Sequence, residues 1–214
     1  GQTWSPSANL NALLPTIDFV GFTAGSAPAG RTPQITKVID MGGSTLKVGI
    51  EDNGKADAQT DGTSIPDISA GFTMNAGSMS IFAGGTLMNA NDTVKGEATQ
   101  VVEATASVKM DMGGMKLVGS FAMIGDDDTN VAESTAFSAG VGIPVGGGMS
   151  VNAMAEVQSY GDSSKEDQST VFVNAFYKMP SGLEFGAEVQ NVTAVGGTDG
   201  SDLTNINFQG KFAF

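Results

Sequence analysis

Residues 203–214, LTNINFQGKFAF, alternate between two series of side chains at every second position. One series is apolar or small: Thr204, Ile206, Phe208, Gly210, Phe212 and Phe214. The other is polar: Asn205, Asn207, Gln209 and Lys211. Because successive side chains of an extended chain point to opposite faces, a period of two predicts a β-strand with one apolar and one polar face.

The same alternation recurs through most of the chain and predicts eleven strands. They are expected at 32–40, 44–52, 66–75, 79–88, 98–111, 115–124, 134–143, 149–160, 168–179, 183–193 and 203–214. No amphipathic helix long enough to stand alone is predicted. In segments 137–143 and 172–178 both faces carry apolar or small residues, so the pattern there does not separate an inner face from an outer one.

The connections between these strands alternate in length. Short, glycine-rich turns are predicted at 41–43, 76–78, 113–114, 145–148 and 180–182, and long polar loops at 53–65, 89–97, 125–133, 161–167 and 194–202. Short turns at one end and long loops at the other, joined by strands of about ten residues, are typical of a transmembrane antiparallel β-barrel. The alternative is a soluble β-sandwich, although its crossing connections give less regular turn lengths.

Composition excludes several classes of function. Ten Lys and Arg against 23 Asp and Glu give a formal net charge of −13, which argues against a nucleic-acid partner. The sequence contains no Cys and no His, so disulfides, Cys/His zinc sites and His-based catalytic triads are excluded. We therefore expect no enzyme activity and no cofactor.

Three features together resemble Gram-negative outer-membrane porins of the 16-stranded trimeric type. They are the terminal strand ending in Phe212 and Phe214, the short and long connections, and the opening GQTWS followed by LPTIDF and RTPQI. The opening is similar to DcaP-like porins. The resemblance implies passive diffusion of small hydrophilic solutes and ions through a homotrimer in the outer membrane of a Gram-negative bacterium, in contact with lipid and lipopolysaccharide. A non-conducting structural or adhesive β-protein is the alternative function.

The resemblance also implies a strand count. Residues 1–5 would be the end of a fifth strand and the eleven strands above would complete sixteen. An eleven-stranded open sheet would leave two bare edges, which lipid does not tolerate. We therefore expect residues 1–214 to form a single β-barrel domain that lacks its N-terminal strands, with residues 6–31 as an inward-folding constriction loop.

The expected constriction contains an acid and a base, Asp18 and Arg31, with Asn9, Asn11 and Gln34 as neutral partners. In the porins that the chain resembles, an acidic inner loop facing basic wall residues produces a transverse field. The alternative for Asp18 is that it caps a local turn.

Charged residues on the polar strand faces are predicted to line the pore. Those expected there are Lys47, Glu51, Glu103, Lys109, Lys116, Glu156, Lys178, Glu188 and Lys211. The lysines lie near short turns or the chain end, whereas the long loops are acidic, so a negative outer mouth and a preference for cations are expected. Alternatively, the acidic loops only keep the protein solvated and the lysines extend to the interface.

Two further features concern metal binding and subunit contact. Asp126, Asp128 and Asn130 match the first three ligand spacings of a Ca²⁺ loop, but Val131 and Phe137 replace the required Gly and Glu. They remain a surface Ca²⁺ candidate, and loosely bound divalent cations at the acidic loops are expected, but no metal site is predicted. The small residues Ala136, Ser138, Gly140 and Gly142 share one strand face, for which we predict a subunit contact.

Overall fold

The computed structural model describes residues 2–4, 14, 31–51, 66–91, 98–126 and 133–212. Their strands are β1 Gln2–Trp4, β2 Arg31–Asp40, β3 Ser44–Glu51, β4 Asp67–Ala76, β5 Met79–Asn91, β6 Ala98–Met112, β7 Met115–Asp126, β8 Ser134–Gly146, β9 Met149–Tyr160, β10 Gln168–Lys178, β11 Leu183–Thr193 and β12 Leu203–Phe212. A 3-10 helix, Val195–Gly197, follows β11. In this part of the chain, no helix is long and apolar enough to cross a membrane.

All twelve strands form one antiparallel sheet in which each strand pairs with its neighbours in sequence. Among the described residues, β1 pairs with β2 alone and β12 with β11 alone. The eleven predicted strands are confirmed, with ends within three residues of the prediction. The soluble β-sandwich alternative is wrong, because the described strands form one sheet and not two packed layers.

Tight turns join the strands at one end of the sheet, as predicted. Gly113 and Gly114 connect β6 to β7, and both have positive φ, 66° and 96°. Two-residue hairpins require this backbone conformation because it matches the twist of the flanking strands. We call this the short-turn end and the opposite end the long-loop end.

Strand β8 continues past its predicted end at residue 143. The register shifts between Pro144 and Gly146, which marks a β-bulge. Proline has no N–H to donate to a neighbouring strand, and bulges are one of the places where sheets accommodate it. The alternation therefore breaks before the strand ends.

Gly148, in the turn after β8, lies in close backbone contact with a neighbouring strand. Its φ is 83°, its carbonyl accepts a hydrogen bond from the Lys178 N–H at 2.9 Å, and an added Cβ would collide with the Lys178 carbonyl oxygen. Its neighbour Gly147 has φ 61° and no heavy atom within 4 Å of an added Cβ.

We expect Gly147→Ala to cost about 1 kcal/mol, the strain of a left-handed residue. Gly148→Ala adds a backbone clash and should cost about 3 kcal/mol or more. Urea unfolding midpoints of the two variants in lipid vesicles measure the difference. Equal midpoints would show that the turn relaxes freely around Gly148.

Candidate functional site

The two faces of the sheet have the reverse of the usual distribution of polar and apolar side chains. Glu188 and Gln190 in β11 are 1% and 0% exposed, whereas Ile206 and Phe208 in β12 are 65% and 79% exposed. In a soluble protein, burying carboxylates and amides while exposing large apolar side chains would be unfavourable on both faces. We call the face of Glu188 the inner face and that of Phe208 the outer face.

The outer face is apolar along most of its surface. Exposed apolar residues on it include Ile50, Ile68, Val102, Val108, Leu117, Phe137, Val157, Val173, Phe185 and Val189. Phe121 and Phe137 pack as a tilted pair on this face, with ring centroids 4.8 Å apart. Such a surface is stable against lipid, and the polar inner face then requires water or polar partners.

Hydrogen bonds connect polar side chains across three neighbouring strands of the inner face. Asn152 Nδ2 donates to Asn174 Oδ1 at 2.8 Å, and Asn174 Nδ2 donates to Glu188 Oε2 at 2.9 Å. The three residues lie opposite one another in register on β9, β10 and β11. Because each is buried and bonded to the next, the carboxylate of Glu188 is held in a fixed place.

The other predicted acidic residues also lie on the inner face. Glu51, at the end of β3, is buried between Gln34 and Asp67 in register. Glu156 is buried between Ser138 and Thr170. Glu103 is half-buried between Thr86 and Ile124. The cross-strand neighbours of the predicted acids, Glu188 included, are therefore neutral or acidic.

The predicted lysines share the inner face by their position in each strand and lie towards the short-turn end. Lys109 is half-buried, and Lys47, Lys116, Lys178 and Lys211 are exposed. Several have a carboxylate directly opposite: Lys116 faces Asp111, and Glu184 lies between Lys178 and Lys211. Opposite charges therefore offset one another at the short-turn end, and the long-loop half of the inner face is richer in acids.

The predicted constriction is described only in part. Asn9, Asn11 and Asp18 lie outside the described residues, as do Asp128 and Asn130 of the Ca²⁺ candidate. Arg31 begins β2, where its backbone pairs with Trp4, and Asp126 ends β7. Gln34 accepts a hydrogen bond from the Thr36 hydroxyl and lies beside Glu51. In the part of the chain that the structure describes, no group of three Asp or Glu residues could hold a metal ion.

Besides Arg31, the structure describes one other residue of segment 6–31, Leu14, to which the sequence pattern did not point. Leu14 is 2% exposed and packs in a buried cluster with Val118, Met154 and Phe172, which are inner-face residues of β7, β9 and β10. The sequence signal that could have indicated this contact was the mixed pattern of residues 172–178, because Phe172 is an apolar residue on a polar face.

The small residues of β8, for which a subunit contact was predicted, lie on the inner face and not on the outer face that a neighbouring subunit would meet. Ala136, Ser138 and Gly142 are buried on the inner face, and the exposed face of β8 carries Phe137 and Ile143. The reason is internal packing: small residues on β8 leave room for the inner-face side chains of β7 and β9, and for Leu14.

The long loop after β9 is acidic and locally ordered. Asp162 accepts hydrogen bonds from the Ser164 hydroxyl at 2.7 Å and the Ser164 N–H at 2.9 Å. These bonds hold the pKa of the Asp162 carboxyl below its usual value. Lys165 Nζ lies 4.9 Å from the centre of the Tyr160 ring. This loop therefore presents fixed negative charge at the long-loop end.

An apolar outer face, a hydrogen-bonded polar inner face and alternating turns and loops together define a transmembrane β-barrel channel. The chain belongs to the Gram-negative porin family, which it matches over residues 3–197. It is an outer-membrane protein that forms a passive diffusion channel, and its family points to a channel without enzyme activity. Its surroundings include membrane lipid, and porins in general need no cofactor.

Solved structures share this fold at low sequence identity. The outer membrane channel DcaP of Acinetobacter baumannii superposes with a TM-score of 0.81 at 19% identity, over 100% of this chain and 70% of that one. A loop-deletion mutant of OmpT from Vibrio cholerae gives 0.67 at 15%, covering 99% and 74%. An anion-selective porin from Comamonas acidovorans gives 0.67 at 15%, covering 97% and 64%. No curated protein sequence matches the chain.

Proposed function

We propose that the inner face lines a water-filled pore that favours cations. The observation that carries this proposal is the placement of three carboxylates, Glu51, Glu156 and Glu188, on that face. Fixed negative charge beside a confined aqueous path raises the local concentration of cations and lowers that of anions. The lysines at the short-turn end contribute less, because carboxylates lie opposite several of them.

We further propose that residues 6–31 narrow this pore, with Asp18, Arg31, Asn9, Asn11 and Gln34 at the constriction. The burial of Leu14 against the inner face supports a path through the interior at that point. The protein would assemble as a homotrimer for small hydrophilic solutes, with lipopolysaccharide at its rim. Acidic loops, Asp126, Asp128 and Asn130 among them, would hold divalent cations only loosely, and no cofactor would take part.

The selectivity of the anion-selective relative does not transfer at 15% identity, because pore charge depends on individual wall residues. Recording purified protein in planar bilayers under a KCl gradient tests the proposal. We expect stepwise conductance and a reversal potential with the sign of a K⁺-selective channel. The preference for K⁺ should be weaker at high salt, because salt screens the charges of the pore wall. An absence of steps would refute the pore, and a reversal potential of the Cl⁻ sign would refute the cation preference.

The trimer has a separate test. Mass measurement of the detergent-solubilised protein, corrected for bound detergent, should give three copies. A mass of one copy at all protein concentrations would contradict the assembly but leave the channel proposal intact.

A further inference from the structure

An apolar row crosses the inner face on four neighbouring strands. Val118, Gly140, Met154 and Phe172 lie opposite one another in register on β7, β8, β9 and β10. On the long-loop side of this row, the register line carries Ser120, Ser138, Glu156 and Thr170. On the short-turn side it carries Lys116, Gly142, Asn152 and Asn174. The apolar row is therefore flanked by polar residues on both sides.

Leu14 covers this row. It is buried and packs with Val118, Met154 and Phe172. A Cβ added at Gly140 would lie 2.9 Å from Leu14 Cδ1, and one added at Gly142 would lie 3.3 Å from Leu14 Cδ2. The absence of side chains at these glycines creates the space that the leucine occupies.

The position of Leu14 is remote from the strand that precedes it. The strands against which Leu14 packs, β7 to β10, are six to nine strands away from β1 in the sheet, or roughly 29–43 Å along it at the usual strand spacing. The ten residues from Trp4 to Leu14 span at most roughly 35 Å when fully extended. Leu14 is therefore far from the strand that precedes it and lies against a different part of the inner face.

We propose that Leu14 is a positioning residue that anchors the constriction segment to the apolar row. This inference rests on the proposed role of residues 6–31 in narrowing the pore. In a water-filled lumen, Met154 and Phe172 would be exposed without a cover, and Leu14 removes both side chains and itself from water. The anchor therefore sets where the segment crosses the pore, and so the aperture that solutes meet.

Removing the anchor should change conductance in a way that matched variants do not. We expect Leu14→Ala and Phe172→Ala each to raise single-channel conductance roughly twofold and to increase current fluctuations, because the segment is no longer held at one place in the aperture. The controls are Leu117→Ala and Phe185→Ala, which make the same truncations on the outer face, in β7 and β11. Wild-type conductance and noise in both inner variants would overturn the proposal.

A second measurement is independent of conductance. The native sequence contains no cysteine, so a Leu14→Cys, Met154→Cys double variant has no competing thiols. We expect an oxidant to form an intramolecular disulfide in the membrane-inserted protein, detected by mass spectrometry of peptides, whereas Leu14→Cys, Val173→Cys should remain reduced. Failure of the first pair to cross-link would contradict the anchor. Cross-linking without any channel conductance would refute the proposed function and leave the anchor standing.

Discussion

Replacing Phe208 with arginine is expected to prevent stable assembly of the sheet in membranes, whereas the same replacement at the adjacent Gln209 is expected to be tolerated. Phe208 is 79% exposed on the outer face, in the middle of β12. Gln209, the next residue of β12, is half-buried on the inner face. The two variants have the same added charge and adjoining positions in the chain, so they differ chiefly in which face receives the guanidinium.

The expected difference follows from the surroundings of the two faces. Arginine on the lipid-facing side of a barrel costs about 2–4 kcal/mol at the bilayer midplane, and much less at its edges. Losing the phenyl ring from lipid costs about 2 kcal/mol more. Together these are a large part of the roughly 5–15 kcal/mol that stabilises a typical fold. On the inner face, arginine meets water and the nearby Glu184 and Lys211.

Folding into lipid vesicles provides the measurement. The folded fraction can be followed by the mobility of unheated samples in detergent gels and by urea titration. We expect a much smaller folded fraction for Phe208→Arg and a near-native one for Gln209→Arg. Equal folding of the two variants would contradict the assignment of the outer face to lipid.

Neutralising the inner acids is expected to reduce the preference for cations about tenfold. In the triple variant Glu51→Gln, Glu156→Gln, Glu188→Gln, each side chain keeps its shape, and glutamine at 188 can still accept the hydrogen bond from Asn174. A unit charge contributes about 1 kcal/mol to the energy of an ion 4 Å away in water. Since about 1.4 kcal/mol corresponds to a tenfold ratio, the combined loss should be visible as a shift in reversal potential.

A loop variant with the same change in charge serves as the control. Asp162→Asn, Glu166→Gln, Asp167→Asn also removes three carboxylates, but all three are exposed in the loop after β9. Their effect on permeability should be smaller and should disappear near 1 M salt, where the screening length is about 3 Å. If the loop variant shifts the reversal potential as much as the inner variant, selectivity is set at the mouth and not by the inner wall.

The outline of the sheet could be predicted from the sequence because one face meets lipid and the other does not. In β11, Leu183, Phe185, Ala187 and Val189 alternate with Glu184, Gly186, Glu188 and Gln190, and the structure separates the two series onto opposite faces. Glycine at the tight turns then determined where strands end. Alternation within a strand and glycine at a turn are local properties, so each can be recognised in a single stretch of the chain.

The prediction was poorer where inner packing replaces contact with water. Phe172 lies on the polar face because Leu14 covers it, and the small residues of β8 lie there because the space beside them is filled. Neither fact is visible in a period of two, since alternation shows that two faces differ and not which one faces lipid. The partner that decides these positions is distant in sequence, so the pattern within one strand could not reveal it.

The buried position of Leu14 also has a consequence for the order of folding. Every strand pair that the structure describes joins neighbours in sequence, so the hairpins can form from local contacts. The residues that receive Leu14 come more than a hundred positions later in the chain, on three strands joined through β8. Closing so long a loop is slow because it costs chain entropy, and Leu14 gains no contacts until the strands that bury it have formed. The anchor should therefore form last, and the folding intermediate that precedes it would be a channel with an unobstructed interior.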